Sequence, residues 1–271
     1  MSTLWLIGGT QESRQLVQLW VQKFPHDSSR QLHCIVTVTT AAARSLYLQT
    51  PPLRVQVGQF TAAQIDNFVH HNHIDAILDM SHPFATEISQ LAIALAQHRQ
   101  LPYLRYERPV VSAPQQTWRD QRGRPGMVCV SQLQDVLTPE SLAGDRTLLT
   151  LGYRQLSIFA PWQSRATLFA RILPSPVALN TALQVGFTPD RLIALRPPIS
   201  VDLEKALWQQ WQITQLVTKA SGHPGGQDDK QTLAAAMGVR LIQIRRPAIA
   251  YPHQTDDLDT ALQFALRYGN P

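Results

Sequence analysis

The feature that most constrains this chain is the alternation of short apolar runs with amphipathic stretches, which starts at its first residues. Thr3-Leu4-Trp5-Leu6-Ile7 is an apolar run ending in Gly8-Gly9-Thr10. Gln11 to Trp20 follows, with Leu16, Val17, Leu19 and Trp20 at helical spacing. Leu32–Thr40, Leu53–Phe60, Asp75–Met80 and Leu101–Val111 read as further strands, with helices at Thr61–His71 and Thr86–Arg99. Strands that are apolar on both faces need cover on both sides, and helices between consecutive strands supply it. The pattern therefore predicts a parallel sheet with right-handed crossovers.

Ser112–Gly126 interrupts the pattern. It has no hydrophobic period and carries Arg119, Arg122 and Arg124, so it reads as an interdomain linker or a substrate lid. Alternation then resumes. Strands are expected at Met127–Val130, Thr147–Leu151, Ala166–Ile172, Arg191–Leu195, Gln215–Thr218 and Arg240–Ile244. Helices are expected at Gln132–Leu142, Pro176–Val185, Asp202–Gln212, Lys230–Met237 and Asp257–Tyr268. The expectation is an α/β chain of two domains, 1–111 and 112–271, the second opening with 112–126. No fixed-period repeat accompanies this architectural one.

Composition narrows the function classes. With 44% hydrophobic and 16% charged residues, the 271-residue chain can bury a sizeable core. No apolar run approaches the ~20 residues of a membrane span, and no secretory leader pattern opens the chain. A cytoplasmic protein with no membrane partner is expected, with Cys34 and Cys129 as buried thiols in a reducing compartment. The formal charge is +5, and the cations are mostly arginine. Arginine suits bidentate capture of carboxylate and phosphate. No nucleic-acid-binding signature accompanies it, so a small polyanionic ligand is the expected partner and nucleic acid is not.

In open parallel sheets ligands gather at the C-terminal ends of the strands. Gly8, Gly9 and Thr10 follow the first strand and open a helix, an arrangement that lets backbone N–H groups face a phosphate. The second strand ends in Thr39 and Thr40 with Arg44 just beyond, and lacks the acid that reads ribose hydroxyls in NAD-binding folds. That favours a 2′-phosphate, hence NADPH, with NADH as the alternative. Ser81, His82 and Pro83 follow the fourth strand. His82 is a candidate proton donor, and the competing reading is an orienting bond to the backbone. In the second half the strand ends carry Arg154, Arg171 and Arg245. Lys219–Lys230 (KASGHPGGQDDK) combines two lysines with Ser221, Gly222 and two further glycines, as an anion-binding turn would. No metal-ligand spacing and no Ser-His-Asp order is present. Residue types alone leave open a nucleotide-phosphate-dependent α/β transferase and a non-catalytic anion-binding protein. The transferase reading lacks a Walker lysine.

Taken together, several segments resemble the precorrin-6A reductase family of cobalamin biosynthesis, which includes the cobalt-precorrin-6A reductases. They are Leu6-Ile7-Gly8-Gly9-Thr10-Gln11-Glu12, Asp79-Met80-Ser81-His82-Pro83-Phe84-Ala85 and Arg105-Tyr106-Glu107-Arg108-Pro109. Thr150-Leu151-Gly152-Tyr153-Arg154-Gln155-Leu156, Ala170-Arg171-Ile172-Leu173-Pro174, Lys219-Ala220-Ser221-Gly222 and Arg245-Arg246-Pro247 follow in the family's order. Met80, Tyr153 and Ala220 depart from it, without removing a charge or a glycine. The resemblance implies two Rossmann-like halves with the active site in the cleft between them, the first for NADPH and the second for the tetrapyrrole. It implies hydride transfer to a ring carbon of precorrin-6A, or of its cobalt form, giving the 6B form. Gly8, Gly9, Thr10, Thr39, Thr40, Arg44, Ser81, His82 and Pro83 would then meet the cofactor. Arg154, Arg171, Lys219, Ser221, Gly222, Lys230 and Arg245 would meet the anionic macrocycle, and neighbouring pathway enzymes are candidate partners.

Overall fold

The computed structural model describes residues 2–23, 33–47, 53–112 and 117–269. They form two compact units. The first holds the chain up to Pro109 and from Pro247 onward; the second runs from Val110 to Arg246.

In the first unit β1 (Thr3–Ile7), α1 (Gln11–Gln22), β2 (Cys34–Val38), α2 (Ala41–Arg44) and β3 (Arg54–Val57) follow one another. Then come α3 (Ala62–His71), β4 (Ile74–Asp79), α4 (Thr86–Arg99) and β5 (Tyr103–Tyr106). The second unit contains β6 (Met127–Val130), α5 (Pro139–Leu142), β7 (Arg146–Leu149), β8 (Thr167–Ile172), α6 (Pro176–Gln184) and β9 (Leu192–Ala194). It continues with α7 (Val201–Gln210), β10 (Gln215–Lys219), α8 (Gln227–Met237) and β11 (Arg240–Ile244). The chain then returns to the first unit as β12 (Gln254–Thr255) and α9 (Leu258–Gly269).

Each unit is built on one six-stranded sheet. The first has the order β12-β5-β4-β1-β2-β3 and the second β6-β11-β10-β7-β8-β9. Every pairing in both is parallel. Burial of both sheet faces explains the β-branched runs. On β1, Leu4 and Leu6 pack with Leu16, Trp20 and the α9 residues Ala261, Leu262 and Ala265. Trp5 and Ile7 point the other way, to Phe68, Val69, Ala92 and Leu95 of α3 and α4. In the second unit Leu148, Leu216 and Leu241, from three neighbouring strands, pack with Trp208, Leu233 and Ala234 of α7 and α8.

Four sequence expectations are corrected. The expected helix Gln132–Leu142 is broken into a 3₁₀ turn, Leu133–Val136, and α5. Pro139 cannot continue a helix, and Thr138 starts a new one by accepting the Ser141 N–H at 3.2 Å. Tyr153–Trp162 is a 3₁₀ segment where no element was expected. Residues 247–271 were placed with the second domain, but β12 pairs with β5 and α9 packs on β1 and β4. Cys129 is exposed, while Cys34 is buried, and its burial pushes that thiol's pKa well above the ordinary range. The described part of the basic stretch is folded. Asp120 accepts the N–H groups of Arg122 and Arg124 and pairs with the Arg124 guanidinium, which also pairs with Asp145.

Candidate functional site

In the first unit the direction of strand succession reverses between β1 and β4, and a crevice for ligands opens at such a switch point. The Gly8-Gly9-Thr10 turn sits there. Gly9 holds φ +97°, and a Cβ on it would meet nothing within 4 Å. Gly8 has no such freedom, because its Cβ would lie 2.3 Å from the Tyr47 hydroxyl. The Tyr47 hydroxyl accepts the Gly9 N–H at 2.6 Å and lies 2.7 Å from the Ser13 hydroxyl. Thr10 caps α1 by accepting the Ser13 N–H, and its hydroxyl donates to the Met80 carbonyl at 2.9 Å. The turns after β1 and β4 are thereby joined, and Gly8, Gly9 and Thr10 stand beside Ser81.

The β4 turn rests on a buried ionic network. Asp79 is fully buried and accepts from the Ser81 N–H (2.9 Å), the Ser89 hydroxyl (2.6 Å), the Tyr103 hydroxyl (2.9 Å) and Arg105 Nη1 (2.9 Å). Arg105 also donates to the Ser81 hydroxyl, pairs with Glu107 and lies over the Tyr251 ring. Burial opposes the charge of Arg105, and Asp79 and Glu107 outweigh it, so its pKa rises. Burial beside Asp79 likewise pushes the Tyr103 phenol up, so it stays a donor. On this base His82 is exposed. Its Nδ1 accepts the Phe84 N–H at 3.2 Å, which puts the proton of the neutral ring on Nε2. This is the orienting bond to the backbone; a proton donor has to be the imidazolium, which carries a proton on both nitrogens and cannot accept at Nδ1. Pro83 is buried beside it.

Beyond β2, Thr39 and Thr40 are exposed, and the Thr40 hydroxyl accepts the Ala43 N–H to cap α2. Arg44 ends α2 with its side chain exposed. Glu12 lies in the first turn of α1, where a carboxylate would repel a phosphate. It is buried against Arg108, whose guanidinium pairs with it and donates to Oε2 at 2.8 Å.

The second unit repeats the reversal between β7 and β10. Lys219, the last residue of β10, donates to the Leu151 carbonyl at 2.8 Å, joining the turns after these two strands. Burial, and then the charge of Arg154, push its pKa down to about 8. Arg154 is exposed beside Tyr153, and Arg245 is exposed just past β11. Ser221 is buried, and the Gly222 N–H donates to Gln227 at 2.9 Å. Two more of the expected ligand-binding cations have protein partners. Arg171 pairs with buried Glu204. Lys230 donates to the Gly225 carbonyl at 2.6 Å and is pushed down to about 8, first by burial and then by Arg171. Lys230 thus braces the glycine turn and Arg171 is tied to Glu204 of α7, whereas Arg154, Lys219 and Arg245 mark the strand ends.

The sequence alone does not mark Tyr47, Asp79, Arg105 or the Glu12–Arg108 pair as site residues. For Asp79 a signal existed, since an acid closing the apolar run Ala76-Ile77-Leu78 must find buried partners. For Tyr47 there was none.

A sequence model of a family described as precorrin-6x reductase CbiJ/CobK matches residues 3–265. A cobalt-precorrin-6A reductase of Synechocystis sp. is 44% identical over 271 residues, covering 99% of this chain and 97% of the relative. A cobalt-precorrin-6A reductase of Priestia megaterium is 32% identical over 249 residues, 91% of each chain. A precorrin-6A reductase of Rhodococcus erythropolis is 30% identical over 262 residues, covering 96% of this chain and 94% of its own. The solved structure of a CobK precorrin-6A reductase shares the fold, with a TM-score of 0.75 at 21% identity over 99% of this chain and 98% of that one.

Proposed function

The chain belongs to the precorrin-6x reductase CbiJ/CobK family, and from that premise we propose that it reduces precorrin-6A, or its cobalt form, to the 6B form with NADPH in cobalamin biosynthesis. The match over residues 3–265 carries the reaction class. The first unit is assigned to the cofactor and the second to the macrocycle.

The residues of the first switch point suit a dinucleotide. The open space beside Gly9 admits a pyrophosphate close to the backbone at the start of α1. Arg108 neutralises Glu12, so the helix N-terminus keeps its positive character. Arg44, past the end of the neighbouring strand, meets the 2′-phosphate, with Thr39 and Thr40 beside it. The bound nicotinamide supplies the hydride. Ser81, His82 and Pro83, held by Asp79 and Arg105, orient its ring end. His82, its Nδ1 held by the Phe84 N–H, presents Nε2–H to the ligand as a hydrogen-bond donor. In the second unit Arg154, Lys219 and Arg245 bind carboxylates of the macrocycle. Ser221 and Gly222 form the turn beneath it, Lys230 braces that turn, and Arg171 is tied to Glu204 of α7.

The test is an anaerobic assay with precorrin-6A and cobalt-precorrin-6A, each with NADPH and NADH, beside thermal shifts with NADPH, NADH and ATP. Turnover of either tetrapyrrole with NADPH preferred is expected. A ligand at 100 times its Kd adds about 2.7 kcal/mol of stability. Stabilisation by ATP and by neither nicotinamide would overturn the proposal.

A further inference from the structure

The Tyr47 hydroxyl stands at the junction of two segments that the proposed cofactor site needs. Tyr47 is 5% exposed and follows α2, three residues beyond Arg44, whose carbonyl accepts the Tyr47 N–H at 3.2 Å. Its hydroxyl reaches the turn after β1. The proton count fixes a direction for the network. The Ser13 hydroxyl donates to the Thr10 carbonyl at 2.9 Å, so toward Tyr47 it can only accept. The Tyr47 O–H therefore donates to Ser13 and accepts from the Gly9 N–H. Burial raises the phenol pKa, which keeps that proton in place. The chain runs Gly9 N–H, Tyr47 O–H, Ser13 O–H, Thr10 carbonyl, each link donating to the next.

This separates the roles of the two glycines. Gly8 is small because the tyrosine hydroxyl and Val36 occupy the space its Cβ would need. Gly9 faces open space, and its N–H is turned to Tyr47 rather than left for an anion. The turn's shape is thus dictated from the end of β2, the segment that carries Arg44.

We propose that Tyr47 is a positioning residue of the cofactor site, whose hydroxyl locks the Gly8-Gly9-Thr10 turn to the α2 segment so that pyrophosphate and 2′-phosphate are recognised as one unit. The inference rests on the assignment of the cofactor to the first unit. Tyr47→Phe keeps the ring and removes only the hydroxyl. It leaves the Gly9 N–H without its acceptor, while Ser13 Oγ keeps the Thr10 N–H as a donor. A hydrogen bond of this kind contributes about 0.5–1.5 kcal/mol, so the dissociation constant for NADPH should rise up to about tenfold.

The experiment measures NADPH and NADH dissociation constants, kcat at saturating NADPH, tetrapyrrole KM and melting temperature. The variants are Tyr47→Phe, Arg44→Ala, the pair of them, and Gly9→Val. Tyr47→Phe should weaken NADPH several-fold and NADH less, with kcat and tetrapyrrole KM within twofold. In the pair, the loss should fall short of the product of the single losses. If Gly9→Val melts like the parent and abolishes NADPH binding but Tyr47→Phe leaves it within twofold, the inference fails and the cofactor assignment stands. If Gly9→Val is folded and binds NADPH normally, the assignment itself fails, and the inference with it. Equal weakening of both ligands together with a large fall in melting temperature would reduce Tyr47 to a packing role. Multiplicative losses in the pair would refute the coupling. Should Tyr47→Phe not fold, Ser13→Ala breaks the next link of the same chain and should weaken NADPH in the same direction, and an unchanged affinity there overturns the proposal.

Discussion

Asp79→Asn removes one negative charge from the base of the β4 turn and keeps the side chain's shape. Four donors converge on the carboxylate, two on each oxygen. An amide offers one oxygen, so Ser89 and Tyr103 face an NH₂ group and must turn their hydroxyls to accept from it. The larger effect is on Arg105, whose side chain is 1% exposed. Breaking a buried ion pair from one side costs about 3–5 kcal/mol, because the remaining charge stays buried. Glu107 still pairs with Arg105, so the lower end, about 3 kcal/mol, is expected. For a chain of this size that corresponds to a fall in Tm of roughly 6–12 °C. The assay is thermal and urea unfolding of the parent, Asp79→Asn, Arg105→Met and the double variant. The double variant buries neither charge and should be more stable than Asp79→Asn alone. A loss below about 1 kcal/mol for Asp79→Asn, or strict additivity in the double variant, would refute this account of the network.

Arg44→Ala should raise KM for NADPH much more than for NADH; equal effects would mean that Arg44 does not meet the 2′-phosphate. Lys219 should bind carboxylate as an ammonium, so tetrapyrrole KM should climb above about pH 8, and Lys219→Met should abolish that alkaline limb. Its folded pKa lies below the ordinary 10.5, so between about 8 and 10.5 the unfolded chain holds the extra proton and stability rises with pH across that window. A flat KM profile across pH 8 would remove Lys219 from the substrate. Arg154→Ala and Arg245→Ala should each raise tetrapyrrole KM about ten- to a hundredfold, from the loss of a charge-assisted hydrogen bond, while leaving KM for NADPH alone. If these two, Lys219→Ala and Arg171→Ala all stay within twofold, the macrocycle is not held at these strand ends. Arg171→Ala should mainly lower Tm, because it strands buried Glu204.

What was legible in the sequence is what burial period controls. Leu4 and Leu6 against Trp5 and Ile7 face opposite helical layers, and a strand covered on both sides reads as a continuous apolar run. β6 and β11 were read with the bounds the structure gives them. The glycine, hydroxyl and cation residues that follow β1, β4, β7 and β10 stand at the two places where strand succession reverses. Illegible were relations between residues distant in sequence. Nothing local tells that Arg171 meets Glu204 across 33 positions while Arg154 stays exposed. The arginines have the same side chain, and only the partner decides whether a charge serves the fold or a ligand. The partnership of Tyr47 with Gly9 is of the same kind.

The outermost strand of the first sheet shows the same limit. In each sheet five consecutive strands give the order of a doubly wound fold, β5-β4-β1-β2-β3 and β11-β10-β7-β8-β9. The sixth place beside the fifth strand is taken by β12 in the first unit and by β6 in the second. A chain read strictly in order places β6 in the second domain, where it is found, but assigns 247–271 there as well. Strand β12 spans only Gln254–Thr255 and carries no apolar run, so no periodicity announces it. What holds it is backbone: the Arg105 N–H donates to the His253 carbonyl and the Glu107 N–H to the Thr255 carbonyl, at 2.9 and 2.8 Å. The same two residues, Arg105 and Glu107, form the ion pair that faces Asp79, and Tyr251 of the returning segment covers the Arg105 guanidinium. The C-terminal return therefore closes the buried network beneath the Ser81–His82 turn. A break in that return, such as Tyr251→Ala, should lower Tm in the same direction as Asp79→Asn, and an unchanged Tm would remove the return from the network.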